Sequence, residues 1–449
     1  MSEPMLSTFA EQGVDLLRQD DPELYGLLAD EHQRQMQTLV LVASCSVTHP
    51  SVLACEGMVA ANVTAEGYPG KRYHAGCEFI DGIERLAIQR AKTAFSAQFA
   101  NLQAHSATTA NYLVMASLLR PGDTILGMEL QFGGHLTHGS KAAFAGQYFN
   151  AIGYGLDAQE RIDFAQVAEL AHQHRPRLII CGATAYPRTI DFARFRAIAD
   201  EVGALLLADI SHTAGLVVSG LHPSPIDHAH ITTTCTHKQL YGPRGGLILM
   251  GRDHAQPAPG GKHTLAESIQ RGLFPFFQGA PLPHTIAAKG RALDIAMSAP
   301  FKQNAARIVE DARALASGFI ERGYRVVTGG TDNHIVLLNV AERGLSGLIA
   351  ERALEESGIM VNKNRLPGDT KSAVVSSGVR LGTNTAAYRG LGPTEMEQCV
   401  ALIDRVLSSV EALDDQRYRL DSTVRDAVQA EVRQLCERFP IASYDLAAV

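Results

Sequence analysis

One lysine stands in a run of hydroxyl residues, Thr232-Thr233-Thr234-Cys235-Thr236-His237-Lys238, closed by the turn Gly242-Pro243-Arg244-Gly245-Gly246. Short polar side chains and glycines let backbone approach a ligand closely. A lysine so placed can form a Schiff base with a carbonyl compound. Alone, Lys-x-x-x-Gly is a cheap pattern, and a loop lysine beside a hairpin reads equally well. Asp209 closes the apolar run Leu205-Leu206-Leu207-Ala208, and His212 follows three residues later. A carboxylate at a buried strand end is costly unless paired, so it calls for a cation, a cap or a salt bridge. His135 follows Gly133-Gly134 and could stack on a flat ring; a solvated loop histidine is the plainer reading. Ser106, Ala107 and Thr108 open a helical stretch, where hydroxyls and free amides bind phosphate or simply cap the helix. Arg380 lies among small residues in Ser376–Thr383. A buried guanidinium there needs a carboxylate to fork onto, from a substrate or from the protein.

Asp209 and Lys238, separated by one further strand, together match the logic of pyridoxal phosphate: a carboxylate for the ring nitrogen and an amine for the aldehyde. The constrained loop Glu66-Gly67-Tyr68-Pro69-Gly70-Lys71-Arg72-Tyr73-His74 concentrates charged and aromatic groups, as loops that carry function do.

The elements that must position these groups follow from hydrophobic periodicity. Apolar runs near 99–103, 123–130, 178–181, 204–208, 230–233 and 247–250 alternate with amphipathic helices. This predicts an α/β fold with a mostly parallel sheet covered on both faces, and ligands sit at the C-terminal strand ends of such sheets. A mostly helical stretch, 286–322, leads to a smaller α+β unit, with Pro300 breaking or kinking it. The division expected is an N-terminal helical arm (1–45), a large domain (46–300) and a small C-terminal domain (301–449) ending in a helix and a short tail. The arm reads as amphipathic and suited to packing on a partner subunit.

Of the 449 residues, 46% are apolar and 19% charged, which fits a globular chain with a sizeable core. A net charge of −7 without a basic block argues against nucleic acid as a partner. Seven scattered cysteines without CxxC spacing argue for a reducing compartment, the cytoplasm, and against a zinc site; no metal is expected. The polar N-terminus and the lack of long apolar runs argue against a leader or a membrane span.

Longer motifs carry a resemblance. Glu66–Tyr73, Gly133-Gly-His-Leu-Thr-His-Gly139, Ala185-Tyr-Pro-Arg188, Ala214-Gly-Leu-Val217, Thr236-His-Lys238, Gly242–Gly246, Gly329-Gly-Thr-Asp-Asn-His334 and Asn362-Lys-Asn364 occur in order. From about residue 39 to 407 the chain resembles the serine hydroxymethyltransferase family, pyridoxal-phosphate enzymes of fold type I. The resemblance implies that Lys238 binds the cofactor aldehyde, Asp209 pairs with its ring nitrogen and His135 stacks on the ring. It implies that His212 contacts the phenolic oxygen and substrate, and that Ser106, Ala107, Thr108 and His237, with Gly279 from a partner chain, hold the phosphate. Thr184 belongs to the same cofactor site, and Thr236 is implied among the catalytic residues with Lys238, His212, Glu66 and Tyr73. Arg380 and Ser44 then bind the substrate carboxylate side, while Glu66 and Tyr73 of the interface loop, with Arg244, complete the site. Tetrahydrofolate, the co-substrate, is implied at Leu130, Gly134, Leu136, Phe274 and Asn364. Shared sites imply a homodimer, with tetramers among larger members.

The chain also departs from the family pattern. Ser44-Cys45-Ser46 replaces Ser-Glu-Asn, Thr64 replaces a tyrosine, and His74 replaces the second tyrosine of a pair. Thr184 replaces a serine, Ala107 a glycine and Asn384 a proline. A threonine in place of a phenol opens space near the substrate Cα. The departures resemble the α-methylserine hydroxymethyltransferase branch, which implies transfer from 2-methylserine with release of D-alanine. Serine itself, a folate-independent aldolase or transaldolase, and an idle binding subunit are the other readings.

Overall fold

Two alternating faces of buried side chains build the central sheet. In the strand Leu178–Gly182, Leu178 and Ile180 join one apolar cluster while Ile179 and Cys181 join another. In Gly246–Met250, Ile248 and Met250 face the first cluster, Leu247 and Leu249 the second. Alternation with both faces apolar requires helices on both sides. The computed structural model, which describes residues 5–444, has this arrangement. Seven strands run in the order Phe99–Asn101, Gly246–Met250, Ile231–Cys235, Leu205–Asp209, Leu178–Gly182, Thr124–Met128 and Asn150–Tyr154. All pairings are parallel except those of Gly246–Met250, which runs antiparallel to both neighbours. The fold is α/β of the fold type I kind.

The helical stretch expected at 286–322 is two helices, Pro283–Ala296 and Ala299–Glu321. The break falls at Met297-Ser298, and Pro300 opens the second helix rather than kinking one long helix, because its missing N–H costs nothing in the first turn. Beyond it, four strands in the order Arg325–Val326, Ile335–Asn339, Gly378–Gly382 and Asn362–Asn364 form a second sheet with its own core.

The N-terminal segment serves two settings. Helix Met5–Asp20 has no buried residue and exposes Met5, Leu6, Phe9, Val14 and Leu16. Past helix Pro22–Gln37, the short strand Leu39–Val40 pairs parallel with Ile359–Met360. Residues 1–4 of the expected arm and the last five residues of the expected tail lie outside the described residues. The C-terminal region carries a hairpin, Val410–Ala412 with Tyr418–Leu420, where a continuing helix was expected. Among the described residues no helix is long and apolar enough to cross a membrane.

Buried Arg389 joins the chain's ends. Its guanidinium donates to Gln35 O (2.6 Å) and Met36 O (3.0 Å) from one side and to Phe439 O (2.9 Å) from the other. Arg389→Ala leaves those carbonyls without donors, and the expected loss is about 2 kcal/mol or more. Denaturant unfolding of the variant measures it; a midpoint equal to that of the unchanged protein would refute the clamp.

Candidate active site

The strand Leu205–Asp209 ends in the carboxylate that anchors the site. Asp209 Oδ2 accepts from Asn111 Nδ2 (2.8 Å) and lies 3.1 Å from His138 Nε2; Oδ1 accepts from Ser211 Oγ (2.6 Å) and Ser211 N (3.0 Å). Burial pushes this carboxyl up, but the hydrogen bonds from His138 and Ser211 outweigh it and hold the group far below the usual range. Asp209 is therefore ionised at every physiological pH, and among the described residues no arginine or lysine pairs with it.

The same network aims His135. Asn111 also donates to Thr137 Oγ1 (2.8 Å), and Thr137 N donates to His135 Nδ1 (3.2 Å). Nδ1 is thus an acceptor and the ring proton sits on Nε2. Burial lowers the His135 pKa to about 4, so the ring is neutral. Gly133 and Gly134 shape the turn that carries it. A Cβ on Gly133, whose φ is +99°, would meet Ala185 O at 2.6 Å, and one on Gly134 would meet Met128 O at 2.0 Å.

Lys238 sits in a loop tied to itself. Thr236 N donates to Gly245 O (3.1 Å), Thr236 Oγ1 to Pro243 O (2.6 Å) and Gly242 N to Thr236 O (2.8 Å). Ser106 caps helix Ala107–Leu118 by accepting from Thr109 N (3.0 Å), which leaves the amides of Ala107 and Thr108 without intrahelical partners. Ser106, Ala107, Thr108, His135, Thr184, Asp209, His212, His237, Lys238 and Arg244 line one cavity. His237 Nδ1 is buried there without a partner. His212 faces His334, with Nδ1 and Nε2 3.4 Å apart and the rings stacked. Burial, then the charge of Lys238, keeps His212 neutral.

Arg380 adjoins this cavity. Its Nε donates to Asn362 Oδ1 (3.1 Å) and Nη1 to Thr184 O (2.6 Å), and among the described residues no carboxylate bridges it. Burial lowers its pKa to about 10, so the guanidinium stays charged and short of an anion. Ser44 is half-buried next to Ala43, which packs against Gly382 two residues past Arg380.

The remaining expected residues form a separate group. Glu66 Oε2 lies 3.2 Å from His74 Nε2, Tyr73 N donates to Glu66 O (3.1 Å), and the Tyr73 ring meets Phe274 edge-on. A Cβ on Gly279 would lie 3.6 Å from Glu66 Oε1. Thr64 is exposed, and Tyr73 is 74% exposed, so neither is enclosed by the chain. Leu130 and Leu136 are exposed on the turn around Gly134. Leu130 shares a cleft with Lys141 and Arg365, next to Asn364 on its edge strand. None of Thr64, Glu66, Tyr73, Phe274 and Gly279 lines the Lys238 cavity.

Asn111, Thr137, His138, Ser211 and His334 escaped the sequence reading as functional residues. His138 and His334 lay inside quoted motifs, where spacing said nothing of what they touch. Asn111 is invisible without tertiary structure, being a polar residue on a helix that fills its valences across the sheet.

The donor set fits pyridoxal phosphate. A buried carboxylate lies at one end of the cavity, two amides, two hydroxyls and the His237 imidazole, whose Nδ1 has no partner among the described residues while Nε2 lies 3.4 Å from Arg244 Nη1, supply phosphate donors, and an amine stands with them. His135, His138 and Asp209 also bring ligand atoms within 4.8 Å of one another, as a metal site would, but those atoms are already engaged by Thr137, Asn111, Ser211 and each other.

The buried histidines make an acid-lability prediction. His135 and His237 are held near 4 and His334 near 3, chiefly by burial, below the ordinary 6.5. The unfolded chain binds these protons first, so stability is present above about pH 6.5 and is lost as pH falls toward 4. The thermal midpoint of the apoprotein is expected to fall from pH 7.5 to 5.0, and to fall less in His334→Gln. A flat profile would refute this.

Comparison with known proteins agrees with the geometry. The family model described as serine hydroxymethyltransferase matches residues 17–403. A protein named serine hydroxymethyltransferase from Synechococcus sp. (strain JA-3-3Ab) is 47% identical over 447 residues, spanning 97% of this chain and 99% of the relative. The chain belongs to the serine hydroxymethyltransferase family, enzymes that use pyridoxal phosphate as cofactor and tetrahydrofolate as co-substrate.

Proposed function

We propose that the enzyme transfers the hydroxymethyl group of a 2-methylserine-type amino acid to tetrahydrofolate, giving the methylene adduct and D-alanine. The observation that carries this reading is Thr64. It occupies the interface loop two residues before Glu66, where the family pattern has a phenol, and it is exposed on the protomer. The smaller side chain leaves room for a methyl on Cα. A second reading, serine with release of glycine, is favoured by the name of the 47% identical relative.

Residue roles follow the geometry. The cofactor, when bound, supplies an electron sink that weakens a bond at the substrate Cα. Lys238 would hold the aldehyde end, and the ionised Asp209 would face the ring nitrogen and favour its protonated form. His135, its proton fixed on Nε2, would stack on the ring face. The amides of Ala107 and Thr108, with Ser106 and His237, hold the phosphate at a helix N-terminus. Thr184 fixes the His135 turn by donating to Gly134 O, and its own carbonyl orients Arg380. Arg380 takes the substrate carboxylate beside Ser44, and neutral His212 stands ready to accept a hydrogen bond. Thr236 holds the lysine loop closed. Glu66, Tyr73 and Gly279 complete the site of a partner subunit, with Glu66 moving the proton of the substrate hydroxyl. Leu130, Gly134, Leu136, Phe274 and Asn364 hold the folate. A homodimer with shared sites is supported by the exposed apolar row on helix Met5–Asp20 and by the separation of Glu66 from the Lys238 cavity. A cytoplasmic location is supported by seven free cysteines.

Single-turnover spectroscopy with L-serine, 2-methylserine and threonine, each with and without tetrahydrofolate, tests the substrate. Folate-dependent product from 2-methylserine is expected; product from L-serine alone would overturn the α-methyl reading, and product without folate would favour an aldolase. Thr64→Tyr is expected to move the kcat/KM ratio toward L-serine by about tenfold or more.

Arg380→Met removes the anion's partner. Steady-state kinetics should show kcat/KM for the amino acid falling about 10²-fold or more, with cofactor absorbance retained. An unchanged KM would remove Arg380 from the substrate site.

A further inference from the structure

We propose that Lys289, outside the cavity, is a positioning residue that holds the phosphate-binding cup against the Lys238 loop. This rests on the reading that Ser106, Ala107, Thr108 and His237 bind the phosphate.

Lys289 lies on helix Pro283–Ala296 and is 2% exposed, among the largest wholly buried side chains. A buried ammonium without partners is prohibitively costly, yet among the described residues no ion pair includes it. Its Nζ instead donates to Leu102 O (2.7 Å), Ala104 O (3.0 Å) and Gly246 O (3.1 Å). An ammonium has three N–H groups, so the set is saturated. Leu102 and Ala104 lie on the segment leading from strand Phe99–Asn101 into Ser106, and Gly246 opens the strand that follows the Lys238 loop. One amine therefore joins the two segments whose spacing sets the cup.

The packing is tight on both sides. A Cβ on Gly245 would meet Lys289 Cε at 2.1 Å, and one on Gly246 would meet Ser106 O at 2.3 Å. Gly245 O in turn accepts from Thr236 N, two residues before Lys238. A shift of the amine is thus passed to Gly245, to Thr236 and to Ser106. Burial lowers the Lys289 pKa to about 7, opposed by the charges of Glu56 and Glu84. Glu84 is engaged by Arg72 and Gln103, which leaves the backbone carbonyls as the amine's direct partners.

The test compares the affinity of the full-length chain for pyridoxal phosphate and for pyridoxal, which lacks the phosphate, by equilibrium dialysis and absorbance. The unchanged protein is expected to prefer the phosphate form strongly; equal affinities there would refute the cup itself. Lys289→Met keeps the stem and removes the donors. It is expected to lose about tenfold or more in affinity for pyridoxal phosphate while its affinity for pyridoxal stays within about twofold. Gly245→Ala, which drives a methyl into the amine, is expected to do the same and carries the test if Lys289→Met does not fold. A purely structural lysine would weaken both ligands equally. Equal losses, or none, in these variants would overturn the positioning role.

Discussion

A negative charge sealed at the end of a strand, with neutral or ring donors around it, is the constraint on which the site depends. Asp209 cannot shed its charge, because Asn111, His138 and Ser211 hold it ionised. It cannot be neutralised by its surroundings, because no arginine or lysine is bonded to it among the described residues. The remaining Coulomb demand is directed into the cavity. The cost is spread over the fold. Asn111 takes a hydrogen bond from Thr233 on the adjacent strand (2.6 Å) and gives one to Thr137, so helix Ala107–Leu118, that strand and the His135 turn are all tied to the carboxylate through one side chain. Removing Asn111 would disturb all three, although it touches no reacting atom.

The buried cations follow the same rule with the sign reversed. Arg380 is bonded to an amide oxygen and a backbone carbonyl, Lys289 to backbone carbonyls alone. A carboxylate partner would satisfy each charge and cancel its field. Carbonyl dipoles solvate the charge and leave most of the field in place. Asp209 and Arg380 are thus charges held without counter-ions, arranged before any ligand arrives. Other buried cations differ among themselves: Arg72 is bridged by Asp81 and Glu84 and Arg196 by Asp200 and Asp253, while Arg389, like Lys289, is held by backbone carbonyls.

How much of this was legible in the chain depended on the range of the interaction. Strand Leu205–Asp209 and its neighbours were readable because two apolar faces leave an unbroken local pattern. Strand Asn150–Tyr154 was not, because as an edge strand it carries exposed and half-buried residues with little apolar signal. The hairpin at 410–420 was missed because Glu411, Asp414 and Arg419 read as a charged helix surface, while its pairing brings together residues up to ten positions apart. In the site, Lys238, Asp209, His135 and Arg380 announced themselves as costly or reactive side chains at strand ends. Asn111, Thr137 and Ser211 did not, since their importance is their partners, and partners across a sheet are not encoded in spacing.

These differences separate two kinds of position in the chain. Residues around Asp209 are buried and mutually bonded, so a change at any one leaves another polar group unsatisfied and costs stability as well as chemistry. Thr64 and His74 are exposed on the protomer, and Cys45 likewise, so their side chains can change without unsatisfied groups in the core. The chain's departures from the family pattern include these three, and its Lys238, Asp209 and Arg380 do not depart at all. Thr184 and Ala107, the departures within the cavity, are conservative in volume, and Thr184 keeps the hydroxyl that bonds Gly134 O. Thr64 and His74 thus vary on or beside the loop that carries Glu66, where folding tolerates it, while Asn384 departs in the buried interior and donates to Ala43 O (3.1 Å); a new substrate preference could arise on that loop without disturbing the charges of the Asp209 cavity.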